Sequence, residues 1–149
     1  RRLRTDRIEL VLVHSDGNDL EILRDSGVYQ TLAELKREGK ILAFGLSGKT
    51  VEGGLLALEQ GDCAMVTYNL NEQAERAVID YAAAHGKGIL VKKALASGHV
   101  CLKPGEDPLR RSFELLFGQP GIGSAIVGTI NPRHLTDNVR TVAAVLTGS

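Results

Sequence analysis

Neither sign of charge predominates in this sequence: 18 Lys and Arg balance 18 Asp and Glu over 149 residues. Without a long-range field, neither a nucleic acid nor an acidic membrane surface is an expected partner. Long apolar runs are missing as well. None approaches the roughly 20 residues that span a bilayer, and no signal-peptide pattern opens the chain. Cysteine is scarce. Cys63 and Cys101 have neither metal-ligand spacing nor the numbers of a disulfide framework, so the expected setting is reducing and cytoplasmic. Short signatures are absent too: no Gly-x-Gly-x-x-Gly opens a helix after a strand, and there is no Walker-type loop, zinc pattern or Gly-x-Ser-x-Gly elbow. The chain opens Arg1-Arg2-Leu3-Arg4 rather than on Met, so its first residue need not be a natural start.

What remains is an ordinary globular composition, 43% hydrophobic and 24% charged, which excludes intrinsic disorder. Short apolar runs rich in β-branched residues occur at Ile8–Val13, Ile41–Leu46, Cys63–Val66, Gly88–Val91 and Ser124–Val127. They are continuous rather than alternating, as strands buried on both faces of a parallel sheet read. Helical patterns lie between them. Val28, Leu32 and Leu35 share one face, with Gly39 as a stop; a second helix runs from about Val51 to Leu58 and ends at Gly61. A third is expected over Glu72–Ala84, with Ala74, Ala77, Val78 and Tyr81 inward and Gly86 closing it. Asp107 then caps a helix opened by Pro108, with Leu109, Phe113 and Leu116 on a stripe. Asn131 caps the last, opened by Pro132, with Leu135, Val139, Val142 and Leu146 inward.

The order is β-α repeated five times, which implies right-handed parallel crossovers. Two architectures satisfy it: a doubly wound open sheet and a section of a (β/α)8 barrel. Polar or small residues follow nearly every strand: His14-Ser15-Asp16, Ser47-Gly48, Thr67-Tyr68-Asn69, Lys92-Lys93 and Gly128-Thr129. An open sheet binds mainly at its switch point, whereas a barrel gathers all such loops around one mouth. The pattern favours the barrel.

Several of these residues could carry chemistry. His14, at a strand end, could hydrogen-bond a substrate oxygen or shuttle a proton; equally, it could bond a neighbouring loop. Gly128–Pro132 opens the final helix, where free amides can hold a phosphate, but the same residues also build a capped turn. The segment Lys92–Gly105 is long and holds Lys92, Lys93, Ser97, Gly98, His99 and Lys103. Either lysine could face an anion or, if buried, form a Schiff base; a solvated pair is the plainer reading. His85 fits a favourable helix-dipole position.

Together these segments resemble the C-terminal part of an aldo/keto reductase. The stretches are Leu3–His14 (LRTDRIELVLVH), Leu35–Ser47 (LKREGKILAFGLS), Tyr68-Asn69-Leu70, Leu95-Ala96-Ser97-Gly98 and Ala125–Thr129 (AIVGT), then Pro132, Leu135 and Asn138. They fall in the family's order along essentially the whole chain. The resemblance implies a (β/α)8 barrel, a nicotinamide cofactor, NADP(H) or alternatively NAD(H), and hydride transfer to an aldehyde or ketone. On it, residues 1–149 are the C-terminal portion of one barrel domain, from just before the fourth strand to the eighth helix. A barrel of this kind needs about 250 residues, so the length reads as that of a fragment.

The same resemblance assigns roles. His14 would polarise the substrate carbonyl and Ser47 would bond the nicotinamide carboxamide. Lys92 stands where an aromatic commonly stacks on the nicotinamide. Gly128, Thr129, Asp137 and Asn138 match the region holding the adenosine end. The family's Asp, proton-donating Tyr and Lys lie on earlier strands and are not in this chain, which alone is expected to be inactive. Further departures are Gly48 for the carboxamide Asn, Met65 for a Gln, and Gly128 and Ile130 where cations would read a 2′-phosphate; Arg133, His134 and Arg140 lie nearby. The alternative is a non-catalytic module with a reductase-like fold, kept for cofactor sensing or subunit contacts.

Overall fold

A computed structural model describes residues 3–96 and 105–148. Five strands, β1 (Ile8–His14), β2 (Ile41–Ser47), β3 (Cys63–Thr67), β4 (Gly88–Lys92) and β5 (Ile122–Ala125), form one sheet in chain order, every neighbouring pair parallel. Helices α1 (Asp19–Arg24) and α2 (Val28–Arg37) link β1 to β2, followed by α3 (Val51–Gln60), α4 (Arg76–His85), α5 (Pro108–Phe117) and the terminal α6 (Pro132–Thr147). A doubly wound sheet would reverse its strand order at a switch point. This one never does, so the architecture is α/β and a partial (β/α)8 barrel.

Side chains alternate across each strand. Phe44, Leu46, Ala64, Val66, Ile89 and Val91 point outward and are buried in two apolar clusters. One cluster takes Leu23, Tyr29, Leu32 and Ala57, with Val11 and Val13 packed against it; the other takes Leu58, Val78, Ile79, Ala82, Phe113 and Leu116. The opposite face carries Leu10, Leu12 and His14 on β1, Ser47 on β2, Met65 and Thr67 on β3, and Leu90 and Lys92 on β4. Leu10, Leu12, Met65 and Leu90 there are only half-buried.

Strands β1 to β4 start where the apolar runs start, and each runs one residue further, carrying His14, Ser47, Thr67 and Lys92 onto the sheet. β5 departs from expectation. It covers Ile122–Ala125 rather than Ser124–Val127, because it pairs with β4 alone through a register shift at Ile89/Leu90, with only Ile126 N adding a bond to Val91 O at 2.8 Å. α4 starts at Arg76 rather than Glu72. The Asn69 side chain accepts from Asn71 N and Glu72 N at 3.0 Å, and this Asx turn competes with the helix. Ala74 and Ala77 consequently lie outside, and the buried face is Val78, Ile79 and Ala82. The six-residue α1 was not expected at all.

The caps of the last two helices are as expected: Asp107 accepts from Leu109 N and Arg110 N, and Asn131 accepts from Arg133 N. The inward stripe of α6 is not. Leu135, Val139 and Leu146 are 54%, 62% and 64% exposed, while Asn138 is buried and Val142 and Val145 pack on the core. Among the described residues α6 has α5 as its helical neighbour, so only one flank of its broad apolar surface is covered. No helix of the described residues is long and apolar enough to cross a membrane.

Candidate active site

Register brings the candidate residues together at the carboxyl ends of the strands. His14 pairs with Ser47 across β1 and β2, Ser47 with Met65 across β2 and β3, and Thr67 with Lys92 across β3 and β4. Ser47 is buried and His14 exposed at the rim. Lys92 reaches across β3: its ammonium donates to Gly48 O at 2.5 Å and to Ser47 Oγ at 3.3 Å. The solvated-pair reading therefore fails for half-buried Lys92 and fits exposed Lys93. Burial pushes the Lys92 ammonium below its ordinary pKa; Glu75 and Asp19 oppose this, and Lys93 and Lys49 add to it.

Two buried carboxyls beside these residues were not singled out from the sequence. Asp19, the first residue of α1, accepts from Ser15 Oγ and, at 2.8 Å each, from Lys49 N, Thr50 N and Thr50 Oγ1. Burial raises its pKa, but the bonds from Ser15, Lys49 and Thr50 outweigh it and hold the carboxyl below its ordinary value. The pair Gly53-Gly54 inside α3 was the available signal, since glycine is costly there without a packing reason. A Cβ on Gly53 would overlap the Asp19 side chain, and one on Gly54 would lie 2.8 Å from Val78. Glu75 Oε2 accepts from Thr67 N at 2.7 Å, while Oε1 is buried with no partner among the described residues. Burial raises the Glu75 pKa, more than the Thr67 bond and the Lys92 charge lower it. No sequence signal distinguished Glu75 from a solvated acid.

A cavity of about 730 Å³ opens between the segment after β4, α5 and the start of α6. Gly128, Thr129, Asp137 and Asn138 all line it, with Lys93 and His134. Lys93 and Ala96 hold left-handed backbone, φ 54° and 46°, which costs residues with a Cβ about 1–2 kcal/mol each. Bonds to Lys93 O from Asn69 Nδ2 at 3.1 Å and Ala96 N at 2.8 Å fix this bend. At the head of α6, Thr129 Oγ1 accepts from Asn131 N at 3.1 Å, so the capped turn is formed. Pro132 has no N–H and Arg133 N is taken by the cap, which leaves a phosphate fewer helix amides than expected.

Other candidates lie elsewhere. His85 ends α4, where Nδ1 lies 2.8 Å from Tyr81 O and its ring stacks on Tyr81. The Cys63 thiol sits at the far end of β3, pushed by burial up to about 11. No metal-holding group of His, Cys, Asp or Glu occurs among the described residues. Arg1, Arg2, Ser97, Gly98, His99, Cys101 and Lys103 lie outside them.

The profile described as "Aldo/keto reductase family" matches residues 1–112. A crystal structure from Pseudomonas aeruginosa, assigned as an aldo-keto reductase, is 72% identical with a TM-score of 0.89, over 97% of this chain and 53% of that one. An aldo-keto reductase of Bacillus halodurans in its holo form is 20% identical with a TM-score of 0.79, over 95% and 57%. An aldo/keto reductase of Klebsiella pneumoniae in complex with NADP and acetate is 20% identical with a TM-score of 0.70, over 95% and 56%. The last two likenesses show the fold alone. This chain thus spans between half and three-fifths of the length of each of these three structures. No curated protein sequence matches it.

Proposed function

This chain belongs to the aldo/keto reductase family, and from that premise we propose that it is the cofactor-holding C-terminal part of an NADPH- or NADH-dependent carbonyl reductase in the cytoplasm. The observation that carries the reading is the cavity lined by Gly128, Thr129, Asp137 and Asn138, on the same sheet end as His14, Ser47 and Lys92.

The residues present fit a dinucleotide. Asn138 is 7% exposed yet lines the cavity, where its amide can bond a purine edge. A Cβ on Gly128 would meet nothing within 4 Å, so the backbone there is open to close approach. Ser47 accepts from Lys92, which leaves its own O–H to donate to a carboxamide oxygen. A bound reduced nicotinamide supplies the hydride. His14, at the rim, donates a hydrogen bond to the carbonyl oxygen of an aldehyde or ketone and orients it. The family's proton-donating Tyr, with its Asp and Lys partners, belongs to strands before the fourth, so this chain alone is expected to bind cofactor without reducing a carbonyl. No nucleic acid or membrane enters the reading.

Titration of the purified chain with NADPH tests it. Saturable enhancement of dihydronicotinamide fluorescence is expected, weakened about tenfold by Ser47→Ala or Asn138→Ala, the worth of one buried hydrogen bond. Absence of saturable binding would contradict the cofactor reading. Carbonyl-dependent NADPH oxidation by the chain alone would overturn the placement of the proton donor outside it. A second reading, a non-catalytic module for cofactor sensing or subunit contacts, is favoured by Gly48, Met65 and Lys92 at positions where the family carries other residues. An upstream half found to lack the Asp, Tyr and Lys would support it, and one carrying all three would contradict it.

A further inference from the structure

Lys92 is a charged side chain where the resemblance leads one to expect an uncharged ring, and its place is fixed. Two donors of its ammonium are spent on Gly48 O at 2.5 Å and Ser47 Oγ at 3.3 Å, so the charge is anchored to the turn after β2. Any ligand atom bonded to Ser47 Oγ at about 3 Å lies within about 6 Å of that ammonium. Among the described residues, the charges facing Lys92 are Glu75, Asp19, Lys93 and Lys49. Asp19 is already bonded by Ser15, Lys49 N and Thr50, and Glu75 Oε2 by Thr67 N, so neither carboxylate is bonded to the Lys92 ammonium. Among the described residues the site therefore keeps a cation beside Ser47 whose bonded partners, Gly48 O and Ser47 Oγ, are both neutral.

We propose that Lys92 selects the oxidation state of the cofactor: its ammonium beside Ser47 favours the neutral, reduced nicotinamide over the cationic, oxidised ring. The inference rests on the cofactor reading above, in which Ser47 holds the carboxamide. Two like charges several ångströms apart at an effective dielectric near 20 change a binding constant by about tenfold or more. NADPH then binds tightly and NADP⁺ leaves readily, which biases the site toward reduction. The four-carbon stem of Lys92 offers the ring an apolar contact, while the charge supplies the discrimination.

The test compares dissociation constants for NADPH and NADP⁺ in the unaltered chain, Lys92→Met and Lys92→Arg, with 2′-phospho-ADP-ribose as a probe that lacks the ring. In the unaltered chain, NADPH is expected to bind about tenfold or more tighter than NADP⁺. Lys92→Met should shrink that ratio below about threefold, Lys92→Arg should keep it, and the ring-less probe should bind all three proteins alike. An unchanged ratio in Lys92→Met overturns the inference. So does an equal loss for both cofactor forms and the probe, which would make Lys92 a general anion attractor. Failure of the unaltered chain to bind either form is a different result: it overturns the cofactor reading, and the selection falls with it.

Discussion

Asp19 and Glu75 are buried carboxyls a short distance apart whose proton affinities move in opposite directions. Asp19 is held below 3.8 by its donors, so its contribution to stability is full above that value and fades as pH falls through the lowered folded value. Asp19→Ala strands the donors of three residues, Ser15 fully buried and Lys49 N and Thr50 partly so, and is expected to cost about 3 kcal/mol at pH 7. Denaturant melts should show that difference shrinking toward pH 3. Glu75 is raised above 4.5, so its contribution is full below 4.5 and is lost as pH rises through the folded value. Glu75→Gln keeps an acceptor for Thr67 N and removes the cost of burying a charge. It should equal or exceed the unaltered chain in stability at pH 7 and show no gain at pH 4; a clear loss at pH 7 would contradict the assignment. At this scale the sequence was only half legible. His14 and Ser47 stand in recognisable segments, whereas Asp19 and Glu75 look like any surface acid until the turns around them close.

Elements were more legible where a local rule decides and less so where packing does. Strand starts at Ile8, Ile41, Cys63 and Gly88, and the caps Asp107 and Asn131, follow from apolar runs and from side-chain chemistry within three residues. The start of α4 was missed because the Asn69 Asx turn outbids helix propensity over residues 69–72, and the stripe on α6 because half of it meets no neighbour. Gly45 shows how tightly β2 and β3 are drawn together: a Cβ there would overlap Cys63 O, which is backbone and cannot yield. Gly45→Ala is expected to separate these strands and cost at least about 3 kcal/mol, read as a large fall in Tm. Asn131→Ala removes only the α6 cap and should cost about 1 kcal/mol.

As a whole, the molecule is a barrel segment in which, among the described residues, β1 and β5 each leave one edge unpaired in the sheet. Ile126, Ile130, Leu135, Val139 and Leu146 lie exposed near one of those edges. Such edges and faces pair with whatever is available. The chain alone is expected to self-associate or to melt broadly in sedimentation and calorimetry; a monomer with a sharp two-state transition would contradict this. The mouth is nonetheless formed, because it depends on register between neighbouring strands and not on closure of the ring. The proposal that it cradles the cofactor is most directly tested by following the backbone amide resonances of the chain during an NADPH titration. The account predicts shifts at two places together, around His14, Ser47 and Lys92 and around Gly128, Thr129 and Asn138. Saturating shifts confined to one cluster, or lying away from both, would contradict it.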